Sequence, residues 1–212
     1  MPYIFDDNYD ESRDWYSSYV VEGALEGRWE GYKNASGEFT YNFGPSDTTL
    51  RAEAIKMVLS AFGYAESGSG QNWWDGWANR ARELGASLVN EDLTRPVSRG
   101  EMMRLIYEVG HFSEPTEFSG NFPDVGPSDD WKAAEAMFDG GIFAGDGLTG
   151  NARLYDTLNR AESAAVINRA AQWKEDNEFL TQDVNRMLQR PSSTHQFLTF
   201  RGFLKALLPF FH

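Results

Sequence analysis

The sequence has no cysteine. That removes disulfides, thiolate metal sites and cysteine nucleophiles together, while leaving the compartment open. Histidine is scarce, and His111, His195 and His212 are scattered without metal-ligand spacing. No G-x-S-x-G, P-loop or dinucleotide fingerprint occurs. No apolar run reaches the roughly 20 residues that span a bilayer. The opening "MPYIFDDNYDESRDW" has neither a basic start nor an apolar h-region. The expectation is that an export signal was removed or never used. Positive charge is short too, 19 Lys and Arg against 32 Asp and Glu, for a net charge of -13. That balance argues against broad binding to nucleic acid or anionic membranes. The acidic stretch "DDNYDES" suggests calcium through Asp6, Asn8 and Asp10. It lacks the loop glycine at position six and a carboxylate at position twelve, where Ser17 stands, so it reads as a solvated loop. No pair of carboxylates is singled out for acid–base work. The chain is therefore expected to be no enzyme and to hold no metal or cofactor.

Apolar residues are plentiful, 41 % with seven Trp, so a packed core is expected from these 212 residues. The distinctive feature is internal repetition. Leu50-Arg51-Ala52-Glu53, Ser98-Arg99-Gly100-Glu101 and Asn159-Arg160-Ala161-Glu162 share one shape. Each is preceded by a Trp-led helical stretch ending in a glycine, with Trp15 before Gly27, Trp73 before Gly85 and Trp131 before Gly141. The pattern predicts a first helix, a left-handed glycine cap, an irregular loop and a second helix carrying the arginine. In the second helices Ile55, Val58, Leu59 and Phe62 fall on one face, as do Met102, Leu105, Ile106 and Val109. The third copy is weaker, with Ala161, Ala165, Val166 and Ile167. The fold class expected is mainly α. One helix pair buries too little to stand alone, so the copies should pack on one another.

The arginines pose a question. Ser98 and Asn159 with Glu101 and Glu162 form capping boxes, whereas Leu50 has no oxygen with which to cap. Arginine at the first helical position sits at the positive end of the macrodipole, at a cost of about 0.3–1 kcal/mol. Three in register suggest a use. A helix N-terminus with free N–H groups attracts anions, and a guanidinium adds a two-pronged donor for carboxylate or phosphate. The alternative is a structural bridge from each arginine to an acidic residue of a neighbouring copy. Gly31 and Gly145, by their place in the loops, would let backbone N–H groups approach a ligand, or would serve tight turns. Trp15, Trp73, Trp77 and Trp131 are expected in the core, with stacking on sugars as the alternative.

Phe122-Pro123-Asp124-Val125, Trp131, "GGIFAG" and "LNRAES" resemble the S-layer homology (SLH) repeat. So do Phe5-Asp6-Asp7, Trp15, "EGYKNASGEF", Phe43-Gly44-Pro45 and "TLRAE"; the second copy keeps Trp73, Gly85 and "PVSRGE". The resemblance places SLH-like repeats at 3–64, 71–112 (degenerate) and 120–173. Leu50, Ser98 and Asn159 stand where the family has threonine, and Gly100 where it has alanine. It implies three helix–loop–helix units in a pseudo-threefold bundle. It further implies grooves that grip anionic, often pyruvylated, secondary cell-wall polysaccharide. The ligand residues implied are Arg51, Arg99 and Arg160, with Gly31 and Gly145 beside them, at the bacterial surface or S-layer.

Residues 174–212 are expected to add a separate helix, with Phe179, Leu180, Val184 and Leu188 near one face, and then a tail after Pro191. "FLTFRGFLKALLPFFH" is apolar on more than one face, so residues 197–212 are expected to dock on a protein partner or a second copy, with packing back onto the repeats as the alternative. Two roles follow: an anchor for a larger assembly on the wall, or a component of a virion or other particle that uses the same fold for assembly or host-surface attachment.

Overall fold

The computed structural model describes residues 5–7, 14–127 and 130–188. The chain divides into two compact units, Met1–Lys174 and Glu175–His212. Among the described residues the structure is mainly helical, with no strand longer than an isolated bridge. The helices are α1 (Ser17–Leu25), α2 (Arg51–Ala61), α3 (Asp75–Glu83), α4 (Arg99–Gly110), α5 (Trp131–Asp139) and α6 (Arg160–Leu188), with a short 3-10 turn at Ser87–Asn90. None of the described helices is long and apolar enough to cross a membrane.

Glycine ends the first helix of every copy. Gly27, Gly85 and Gly141 all have positive φ, near 70–85°. In each case the glycine N–H and the next N–H bond back three and five residues: Gly27 to Ala24 and Arg28 to Gly23, Gly85 to Arg82 and Ala86 to Ala81, Gly141 to Phe138 and Ile142 to Met137. This double closure satisfies orphan carbonyls and turns the chain sharply.

The second helices bury the faces expected of them. Ile55, Val58, Leu59 and Phe62 on α2 and Met102, Leu105, Ile106 and Val109 on α4 are all buried. Each such side chain contributes about 1.5–3 kcal/mol. On α6 the stretch Arg160–Ala171 is buried almost all round, and its many small residues, among them Ala161, Ala164, Ala165 and Ala170, admit close neighbours.

Helix pairing runs between copies. α3 packs on α2 and α5 on α4, so a first helix lies against the second helix of the preceding copy. α1 closes the cycle onto α6, where Asn168 Nδ2 donates to Tyr19 O at 2.7 Å and Arg169 donates to the Tyr19 hydroxyl at 3.2 Å.

The stretch after Trp173 is not a separate helix. It continues α6 without a break to Leu188. The sequence there has no proline or glycine to stop a helix before Pro191. In the second unit, residues 175–188 are helical, and Glu175–Glu178 are exposed. The docking tail at 197–212 lies outside the described residues, as do Asn8 and Asp10 of the acidic loop. Asp7 of that loop serves the fold: its carboxylate accepts the Phe43 and Gly44 N–H groups at 2.8 and 2.6 Å. Asp124 does the same in copy three for Ala152 and Arg153, at 2.7 and 2.8 Å.

Candidate functional site

The three arginine motifs meet in one place. Thr49 N–H donates to Leu158 O, Leu158 N–H to Val97 O, and Val97 N–H to Thr49 O, at 3.0, 3.2 and 2.9 Å. That closes a ring of backbone hydrogen bonds, one residue from each copy. Around it the first helical N–H groups are taken as well. Arg51, Arg99 and Arg160 donate to the carbonyls of Arg95, Asp156 and Asp47, and Ala52, Gly100 and Ala161 to those of Leu93, Leu154 and Pro45. The expectation of free N–H groups at these helix starts is thereby overturned. Carbonyls of the neighbouring copy occupy the donors that an anion would need.

The glutamates complete the answer to the arginine question. Glu53, Glu101 and Glu162 each accept the N–H three residues earlier, from Leu50, Ser98 and Asn159, at 2.8–2.9 Å. Copy one thus keeps half of the capping box although leucine returns nothing. Two of these glutamates also receive an arginine from another copy. Arg51 forks onto Glu101, Nη2 to Oε1 at 2.5 Å and Nε to Oε2 at 3.1 Å. Arg160 donates to Glu53 Oε1 at 3.1 Å and, through Nε, to Phe43 O at 2.7 Å. It also lies over the Tyr32 and Phe43 rings, 4.6 and 4.8 Å from their centroids. Arg99 donates Nε to Ala152 O at 2.7 Å and lies 5.2 Å from the Phe143 centroid. It forms no ion pair within 4 Å among the described residues. Burial lowers its pKa, and the Glu162 charge opposes that only in part. The arginines therefore tie successive copies into a cycle, which offsets their unfavourable place on the helix dipole.

This linkage has a pH signature. Burial works to raise the Glu101 pKa, but the Arg51 hydrogen bonds, the Ser98 N–H and the Arg51 and Arg104 charges outweigh it, so the pKa is depressed. A depressed carboxylate contributes stability that is complete above its unfolded value, about 4.3, and is lost as pH falls through the folded one. Glu101→Gln should flatten the fall of melting temperature below about pH 4. Parallel profiles for wild type and variant would show that the pair carries no such linkage.

An open groove of about 570 Å³ lies beside Arg160. It is lined by the segment Arg28–Lys33, by Lys56 and Met57 of α2, and by Glu66, Trp73 and Trp77. Glu53 also lines it. Trp73 is 53 % exposed and Trp15 59 %, which corrects their assignment to the core; Trp77 and Trp131 are half-buried. Trp15 and Trp73 each stand two residues before the first residue of their helix, α1 and α3. Burial, opposed in part by the Arg160 charge, and the hydrogen bond to Asp47 push the Tyr32 pKa up to about 12, so its hydroxyl stays a donor.

Gly31 lines the groove, and a Cβ there would stand 2.6 Å from Asn42 O and 2.8 Å from the Phe5 ring, so packing alone demands a glycine. Gly145 has φ of +71°, and a Cβ there would stand 2.3 Å from Gly150 O, so it serves the turn in copy three. Arg51, Arg99 and Gly145 do not line this groove. Sequence reading passed over Arg28, Lys33 and Lys56. Alignment of the three glycine caps could have found Arg28, because the residue after the glycine is Arg28, Ala86 or Ile142. Among the described residues no cluster of three or more His, Asp or Glu is placed to hold a metal ion. In comparison with known proteins, the chain matches no family model and no curated protein.

Proposed function

We propose that this chain is a non-catalytic module of the SLH type that binds anionic cell-wall polysaccharide of the pyruvylated kind and fastens a larger assembly to a bacterial surface. The observation that carries the reading is the groove beside Arg160. It offers an exposed indole, Trp73, for a sugar face and the cations Arg28, Lys33, Lys56 and Arg160 for an acidic substituent. Its openness and its mixed lining of charged and aromatic side chains suit a polymer that passes through rather than a small apolar ligand that is engulfed. The three-copy ring of hydrogen bonds and the repeated glycine caps support the SLH comparison. Within this proposal Arg160 is the arginine that both braces the fold and borders the ligand; Arg51 and Arg99 act chiefly as ties between copies.

The test is co-sedimentation with purified wall polymer. Trp73→Ala together with Lys56→Ala should lower binding about tenfold or more, since Trp73 is exposed, Lys56 is half-buried and neither belongs to the buried core. Raised salt should weaken wild-type binding. Undiminished binding by the double variant would refute the groove as the site.

A further inference from the structure

Each copy leads into its first helix with a tryptophan set edge-on against a second ring. For Trp15 and Trp73 that ring belongs to the next residue, Tyr16 or Trp74, with centroids 5.8 and 5.4 Å apart. Both tryptophans stay more than half exposed. Trp131 is different. Its partner is Phe118, 5.9 Å away at 82°, brought in by the connection between copies two and three. Trp131 is half-buried. The same connection supplies Glu114, which pairs with Lys132, the residue after that tryptophan. Lys132 also lies 5.8 Å from the Trp131 centroid, so indole and ammonium stand side by side.

The connection is held firmly at both ends. Before it, Phe112 is buried and stacks on Trp173 with centroids 3.8 Å apart. After it, Glu135 of α5 is 2 % exposed, and its carboxylate accepts the Gly120 N–H at 2.9 Å, the Asn121 N–H at 3.4 Å and the Asn121 side-chain amide at 2.5 Å. The middle is held lightly. Glu114 and Lys132 are 64 % and 44 % exposed, where solvent screens a pair, and Phe118 is exposed as well. Residues 113–119 thus form a strap across Trp131 and Lys132.

What the strap places there has the chemistry of the ligand read for the groove beside Arg160. That groove offers an indole and a lysine, Trp73 and Lys56, to a sugar face and its acid. The strap offers a flat ring to Trp131 and a carboxylate to Lys132. We propose that Trp131 and Lys132 form a second site for the acidic sugar, and that the strap occupies it as an internal stand-in, Phe118 for the sugar face and Glu114 for the acid. Binding lifts the middle of the strap and leaves its ends in place. This rests on the reading of the chain as a glycan-binding module and adds a covered site that fills after the open groove.

The probe is a monosaccharide carrying a pyruvate ketal, titrated by calorimetry into the full chain with the open groove disabled by Trp73→Ala and Lys56→Ala. Adding Phe118→Ser and Glu114→Gln should raise affinity for the probe about tenfold, the combined worth of one edge-on ring pair and one exposed ion pair. Trp131→Ala or Lys132→Ala in that protein should each remove the gain. No gain on opening the strap, with a wild-type melting profile, overturns the inference, as does a gain that survives Lys132→Ala. Should Phe118→Ser fail to fold, Glu114→Gln decides alone: a gain of about twofold is expected, and unchanged affinity overturns the inference. Failure of the glycan reading is a separate result. Wild type then binds neither wall polymer nor probe, and opening the strap changes nothing, which overturns both; binding by wild type without a gain on opening the strap overturns the inference alone.

Discussion

Arg160→Ala should destabilise the first unit by about 3–5 kcal/mol, the usual loss when one partner of a buried pair is removed. The guanidinium is 5 % exposed and is held by Glu53, by the Phe43 carbonyl and by two ring faces. Its removal leaves the Glu53 carboxylate, itself only 19 % exposed, with the Leu50 N–H as its remaining tie. For a unit of this size each kcal/mol moves the melting temperature by about 2–4 °C. Arg160→Met combined with Glu53→Gln should recover part of the loss, because no buried charge is then left alone. Thermal melts of the three proteins decide it. A melting temperature for Arg160→Ala within a degree or so of wild type would mean that the cycle of ties between copies contributes nothing at this joint. The result also governs how binding data are read: lost binding by Arg160→Ala is evidence about the ligand only if the protein remains folded.

Phe43→Ala should cost about as much, 3–5 kcal/mol, for a different reason. Phe43 is fully buried, with ring centroids of Phe5 and Trp29 at 5.4 and 6.4 Å. Its carbonyl and ring both receive Arg160, and its N–H is held by Asp7. The backbone contacts survive truncation, so the loss is transfer energy, a cavity and the ring face under Arg160. Phe43→Leu, which fills most of the space, should cost markedly less. Chemical denaturation at equilibrium distinguishes them by midpoint at constant slope. Equal midpoints for Phe43→Ala and Phe43→Leu would show that the site collapses freely and that the ring packing is dispensable. The Arg160 and Phe43 effects should not add, since the two side chains touch.

Much of this architecture is legible without coordinates, and the reasons are local. Glycine at 27, 85 and 141 marks helix ends because only glycine enters the left-handed region at little cost. The apolar spacing along 55–62 and 102–109 marks buried helix faces because side chains three and four apart share a side. Glu53, Glu101 and Glu162 reach back to the N–H three residues earlier because that span is one helical turn.

What lay beyond the sequence is the set of contacts that join copies. The first helix of one copy packs on the second helix of the copy before it, and no periodicity states which neighbour a buried face will meet. The carbonyls that cap α2, α4 and α6 come from loops of another copy, so helix starts that look free in the sequence are occupied. The separate helix expected after Trp173 is the end of α6, because helix continuity depends on the absence of a stop and not on where a repeat closes. Arginine and glutamate recur in every motif, yet their partners stand about 50 and 107 residues apart along the chain. Short-range chemistry is written in adjacent residues and can be read there; pairing across such distances is selected by the packing of the whole, and so is the groove that Arg28, Lys56, Trp73 and Arg160 share.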